Sequence, residues 1–177
     1  MRNLAILVAL CALAVGAFMG VHAAQQSRPS PAATAQCDLG GGNTVTIAYS
    51  SPRAKGRKIF GGLVPYGEVW RAGANEATTF VASTDVTVGG KTIPAGHYTL
   101  FTIPDKDKWI LIISKKTGEW GVPYPGAESD FARIDMTATP LPAALENFTI
   151  AFDKTGAGCT LHLNWETTSA SVAIAKK

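Results

Sequence analysis

The sequence predicts an all-β fold: an antiparallel β-sandwich or jelly-roll-like domain of about 9–11 short strands with little helix. Three observations predict it. Short runs of β-branched and aromatic residues recur along the chain, Gly and Pro turns separate them, and no helical pattern is interleaved.

The chain opens with Arg2 and an uncharged run over residues 4–21, followed by Val21-His22-Ala23-Ala24, with small residues where a signal peptidase cuts. Residues 1–23 therefore read as a secretory signal, cleaved after Ala23 or Ala24, and the protein is expected to be exported, periplasmic or extracellular. Gly16 and Gly20 interrupt the run and no Lys or Arg cluster follows it, which argues against a retained membrane anchor. Cys11 follows Leu10 mid-run, the wrong place for a lipid-modified cysteine. Residues 24–36 are rich in Ser, Pro, Ala and Gln without periodicity and read as a flexible linker. Residues 37–177 then form a single domain, long enough for one core and too short for two. With 16 Lys+Arg against 13 Asp+Glu, a net charge of +3, and no block of either sign, no nucleic-acid partner is expected.

Cys37 and Cys159 lie near the two ends of this domain. In an oxidising compartment such a pair predicts a disulfide, two separate buried thiols being the alternative. No C-x-x-C is present, so a redox motif is not supported.

The first strand expected is 44–50, which mixes Thr, Val, Ile and Tyr. Residues 77–83 repeat that composition. Residues 85–88 alternate and run into Gly89-Gly90 and then 91–93, a hairpin with a two-glycine turn. Pro94-Ala95-Gly96 is a turn, 97–103 a strand, 104–107 a polar turn. Residues 109–113 (WILII) form a continuous apolar run that suits a strand buried on both faces. Further strands are expected at 132–139, 147–153, 159–166 and 171–175. In two of them Phe148, Ile150 and Phe152, and Leu161, Leu163 and Trp165, recur with period two and so share a core face. Residues 142–146 hint at a short helical turn. Residues 117–130 lack a strand pattern and form a long loop, a common place for function.

One stretch departs from this logic of core and turn. Residues 51–79 are crowded with Arg, Lys, Glu, Gly, aromatic residues and Asn, and their polar groups must be solvated, paired or aimed at a ligand. The residues concerned are Ser51-Pro52-Arg53, Lys55-Gly56-Arg57, Ile59-Phe60-Gly61, Leu63-Val64-Pro65-Tyr66-Gly67 and the string from Val69-Trp70-Arg71 to Asn75-Glu76-Ala77-Thr78. They continue with Pro94-Ala95-Gly96, Tyr98, Leu100, Ile103-Pro104 and Trp109. Together they resemble domain-of-unknown-function family 2911, a family of bacterial exported proteins, over residues 36–175. The resemblance implies an exported, mostly β domain and carries no catalytic residues with it. Ala72 and His97 stand where it leads one to expect other residues.

On their own chemistry, Arg53, Lys55, Arg57 and Lys58 form a basic cluster. It suits a phosphate, a carboxylate or an acidic sugar, or else a solvated loop paired with Glu68 and Glu76. Tyr66, Trp70, Arg71, Asn75 and Glu76 suit a pocket with an aromatic wall and polar forks. In the structural alternative Arg71 pairs with Glu76 and Asn75 holds a turn. Trp120 and Tyr124 suit either a stacking lip or a packed-down loop. Beyond the signal only His97 and His162 are present, without ligand spacing, so no metal or cofactor is expected.

The expected function is a non-catalytic exported domain that binds a small polar or anionic ligand, or a protein partner, through residues 51–79. The alternatives are a carbohydrate-active or other hydrolytic enzyme using Glu76 and a second carboxylate (Glu68, Glu128 or Asp130), and a structural envelope protein without a ligand site.

Overall fold

The computed structural model describes residues 29–177; the expected signal segment and residues 24–28 of the expected linker lie outside them. Nine strands follow one another: β1 (Ala32–Gly40), β2 (Asn43–Ser50), β3 (Thr78–Ala82), β4 (Val86–Val88), β5 (Lys91–Ile93), β6 (Gly96–Ile103), β7 (Lys108–Ser114), β8 (Asp130–Lys154) and β9 (Gly158–Lys176). A 3-10 turn, Ala127–Ser129, precedes β8. All pairings are antiparallel, in the order β1-β2-β3-β6-β7-β8-β9-β4-β5. The all-β, sandwich-like expectation holds.

Two expectations change. First, the strands are not all short. The segments expected at 132–139 and 147–153 are one strand, β8, of 25 residues, and those at 159–166 and 171–175 are one strand, β9, of 19 residues. The helical turn expected at 142–146 is strand too. Register shifts between Pro140 and Thr149 show why the pattern looked broken. Proline cannot donate to a ladder and sits at bulges. Here the β8–β9 pairing shifts register after Pro140 and resumes regularly from Thr149. Second, β1 begins at Ala32, so residues 32–36 of the expected linker pair with β2, from Ala32 opposite Ser50 to Gln36 opposite Thr46.

The sheet curls until its first strand meets its last long ones. Cys37 of β1 is disulfide-bonded to Cys159 of β9, with a Cα separation of 6.2 Å. Lys154 Nζ donates to the Asp38 carbonyl. The chain leaving β2 also runs beside β8: Ala54 N–H donates to Glu146 O at 2.8 Å, and Phe148 N–H to Pro52 O at 2.9 Å. Ser51 Oγ donates to Phe148 O, and Ile150 N–H to the Tyr49 hydroxyl oxygen.

Alternation puts one face of each strand inside. Val45, Ile47, Phe80, Leu100, Leu111 and Leu163 are fully buried. β6 and β7 are covered on both faces, since Phe101 and Ile112 are buried as well. Phe101 is covered from the loop after β7, with the Tyr124 ring 5.1 Å away in an edge contact. Among the described residues, no helix is long and apolar enough to cross a membrane.

Candidate functional site

Residues 51–77 leave the sheet after β2 and return to it at β3, and two attachments fix their path. At the start, Pro52 and Ala54 are hydrogen-bonded to β8 as above. Further on, Trp70 and Thr102 exchange two backbone hydrogen bonds of 2.7 Å, and Gly67 N–H donates to Pro104 O. β3 pairs with β6 as far as Thr78 opposite Leu100, so Trp70 takes the ladder place beyond the point where β3 ends.

Between the attachments the chain makes a tight turn. Val64 N–H and Gly62 N–H both donate to Ile59 O, and Leu63 N–H to Lys58 O. Gly62 is required there: a Cβ on it would lie 2.5 Å from the Lys58 carbonyl oxygen. The turn delivers Phe60 to the core, where it meets Trp109 at 4.8 Å and Trp70 and Trp165 at 6.3 Å. Trp70 stacks on Trp165 at 5.9 Å and 20°, and Phe148 packs edge-on against Trp70 at 5.0 Å. Trp165 Nε1 donates to Glu146 O. Two members of this aromatic group, Trp70 and Trp165, line a cavity.

The cavity has a volume of about 670 Å³, within the range of small-molecule sites. Four cations line it: Arg53, Lys55, Arg57 and Arg71. No Asp or Glu is in the lining. Backbone carbonyls hold the arginines. Arg53 Nη1 donates to Ser51 O and Ser51 Oγ, both at 3.0 Å. Arg57 Nε donates to Ala54 O and its Nη2 to Arg53 O. Arg71 Nη1 donates to Asn75 O at 2.9 Å and Trp120 O at 3.3 Å. A carbonyl dipole orients a guanidinium but leaves its net charge in place. Among the described residues, none of the four cations is in a salt bridge. The nearby carboxylates are engaged with backbone: Glu146 Oε1 accepts from Lys55 N–H, and Glu166 Oε2 from Ile59 N–H.

The loop after β7 closes the far side with Gly121, Val122 and Tyr124. Ala77 N–H donates to Glu119 O and ties this loop to the start of β3. Tyr124 Oη donates to Asp130 Oδ1 at 2.5 Å and accepts from Arg133 Nη2, while Arg133 Nε bonds Asp130 Oδ2 at 2.7 Å. Burial, and then the Asp130 hydrogen bond, raise the Tyr124 hydroxyl above its ordinary value, so it stays protonated as the donor.

Of the residues singled out in the sequence, the cavity brings together Arg53, Lys55, Arg57, Trp70, Arg71 and Tyr124. Tyr66, Asn75 and Glu76 are not in its lining. Tyr66 lies over Gly61, where an added Cβ would come 2.7 Å from its ring. Asn75 serves the turn: it has a φ of 57°, its Nδ2 donates to Ser30 O, and its carbonyl receives Arg71. Glu76 is exposed. Trp165 is a wall residue that period two had assigned simply to the core; no local signal marks it. Pro29 and Ser30 also line the cavity, from a stretch whose composition read as linker. Among the described residues, no group of three or more His, Cys, Asp or Glu is arranged to hold a metal ion.

The family described as a protein of unknown function (DUF2911) matches residues 30–174. No curated protein and no solved structure matches the chain.

Proposed function

The chain belongs to the DUF2911 family, and from that premise we propose that it is an exported β-sandwich protein that binds a small anionic ligand in this cavity. One observation carries the reading: Arg53, Lys55, Arg57 and Arg71 line a single cavity with no carboxylate in its lining and no salt bridge to any of them among the described residues. Lys55 and Arg57 are exposed and Arg53 and Arg71 half-buried, so their charges are accessible to an anion that enters the cavity. Arginine forks suit a carboxylate or a phosphate geometrically as well as electrically. A hydrolytic mechanism on two carboxylates has no such support, because the lining supplies neither one. Export is supported by the signal-like residues 1–23 and by the Cys37–Cys159 disulfide, which persists in an oxidising compartment.

The test is isothermal titration of the processed chain with phosphate, sulfate and simple carboxylates beside neutral analogues of matched size. Anions should bind and neutral analogues should not. Arg53→Ala and Arg71→Ala should each weaken anion binding by at least about tenfold, the loss expected for a charge-assisted hydrogen bond, with the circular dichroism spectrum unchanged. Equal binding of neutral analogues, or no binding of any anion, would overturn the proposal.

A further inference from the structure

We infer that the ligand is an amphiphilic anion, with a carboxylate- or phosphate-type head among the arginines and a flexible apolar body against the apolar residues of the same lining; this rests on the anion-binding reading above.

The lining divides by chemistry. Beside the four cations, the hydroxyl-bearing side chains of its lining among the described residues are Ser30 and Tyr124, and no Asn, Gln, Thr or His is among them. Tyr124 is already committed to Asp130. A sugar or another polyol needs many neutral donors and acceptors, and this lining does not offer them. What it offers instead is apolar surface: Leu63 and Val122, with half-buried Val69 and Trp70, over buried Val64 and Trp165.

Leu63 and Val122 are the informative pair. Both line the cavity, yet Leu63 is 49% and Val122 64% exposed. They come from separate elements, the 59–64 turn and the loop after β7. A single exposed apolar side chain is ordinary; two on one cation-lined cavity form a mixed site. An inorganic anion would use the cations and leave this surface in water. An anion with an apolar body covers both, and removing that surface from water adds to its affinity.

The experiment is titration of the processed chain with straight-chain carboxylates from butyrate to decanoate, below their micellar concentrations. Inorganic phosphate is the bodiless anion and octyl glucoside the headless amphiphile. Affinity should rise by about threefold to fourfold per methylene. Leu63→Ser and Val122→Ser, both at exposed positions, should flatten that rise, whereas Arg71→Ala should weaken every anion, phosphate included. A flat series, with phosphate as tight as decanoate, overturns the inference while anion binding stands. Absence of binding by every anion overturns anion binding itself. Flotation with phosphatidylglycerol vesicles separates the two sources of such a head: capture by these vesicles without saturable binding of free decanoate overturns a soluble amphiphile as the ligand.

Discussion

Gly121 lies on the aliphatic stem of Arg71: a Cβ added to the glycine would come 3.0 Å from the Arg71 Cβ and 3.2 Å from its Cδ. The same Cβ would meet Ala77 at 3.1 Å. The loop after β7 thus sets the arginine's position as well as closing the cavity. Gly121 also has a φ of 86°, a conformation that side chains disfavour. Gly121→Ala is expected to cost about 1–2 kcal/mol of stability and to weaken anion binding about tenfold by displacing the guanidinium. Urea denaturation and titration read the two effects separately. Unchanged affinity in a folded variant would mean that the loop does not position Arg71.

The disulfide clasps a sequence separation of 122 residues. The loop-entropy relation gives about 4–5 kcal/mol for a closure of that length. The double variant Cys37→Ser/Cys159→Ser should lose stability of that order in urea, and the oxidised protein should show the same loss on reduction. A difference below about 1 kcal/mol would contradict the entropic account.

Phe148 is fully buried between Tyr49, Trp70 and Trp165, with ring centroids at 5.6, 5.0 and 5.8 Å. Phe148→Ala should cost about 3–5 kcal/mol. It should also weaken ligand binding, because it removes the support behind the Trp70–Trp165 wall. A stable variant with full affinity would show that the wall stands without it.

Gly158 opens β9 against the end of the same strand. A Cβ there would lie 2.1 Å from Ile174 O and 2.8 Å from the Ala175 Cα, both backbone atoms that cannot rotate away. Gly158→Ala should therefore destabilise by at least about 1–3 kcal/mol, without a direct effect on the cavity. A midpoint of urea unfolding within error of the parent chain would disprove the close approach.

Tyr124 and Tyr98 both have hydroxyls raised above 10.0, Tyr98 by burial and then by the Asp85 charge. A phenol whose folded value exceeds its unfolded one contributes stability that is complete below pH 10 and is lost as pH rises through the higher, folded value. Thermal midpoints should therefore fall above pH 10. Tyr124→Phe, which has nothing to ionise, should show a shallower fall between pH 10 and 12 than the parent chain. Parallel curves would show that Tyr124 does not contribute.

Much of the framework was legible in sequence because alternation reports burial directly. β2, β3 and β6 emerge within a few residues of their bounds because Val45, Ile47, Phe80 and Leu100 are large and apolar among polar or small neighbours, and β7 from its continuous apolar run. No strand is expected before 44–50, because β1 (Ala32–Gly40) carries mostly small and polar side chains; backbone pairing with β2, rather than burial, makes it a strand. β8 and β9 looked divided because Pro140 and the bulge after it interrupt period two without ending the ladder. At the site, Arg53, Arg57 and Arg71 stand out by charge, and Trp70 by its neighbours. The wall from Trp165 and the rim from Val122 arise only when distant segments meet, and no local pattern encodes that.

The clasp between β1 and β9 also has a mechanical meaning. A pull applied between the two ends of the folded chain would unzip residues 32–36 and 160–176 and then meet the covalent bridge at Cys37–Cys159. Arg53, Lys55, Arg57 and Arg71 all lie inside the bridged loop. Tension on the ends would be borne by a sulfur–sulfur bond, and the cationic half of the cavity would stay unloaded.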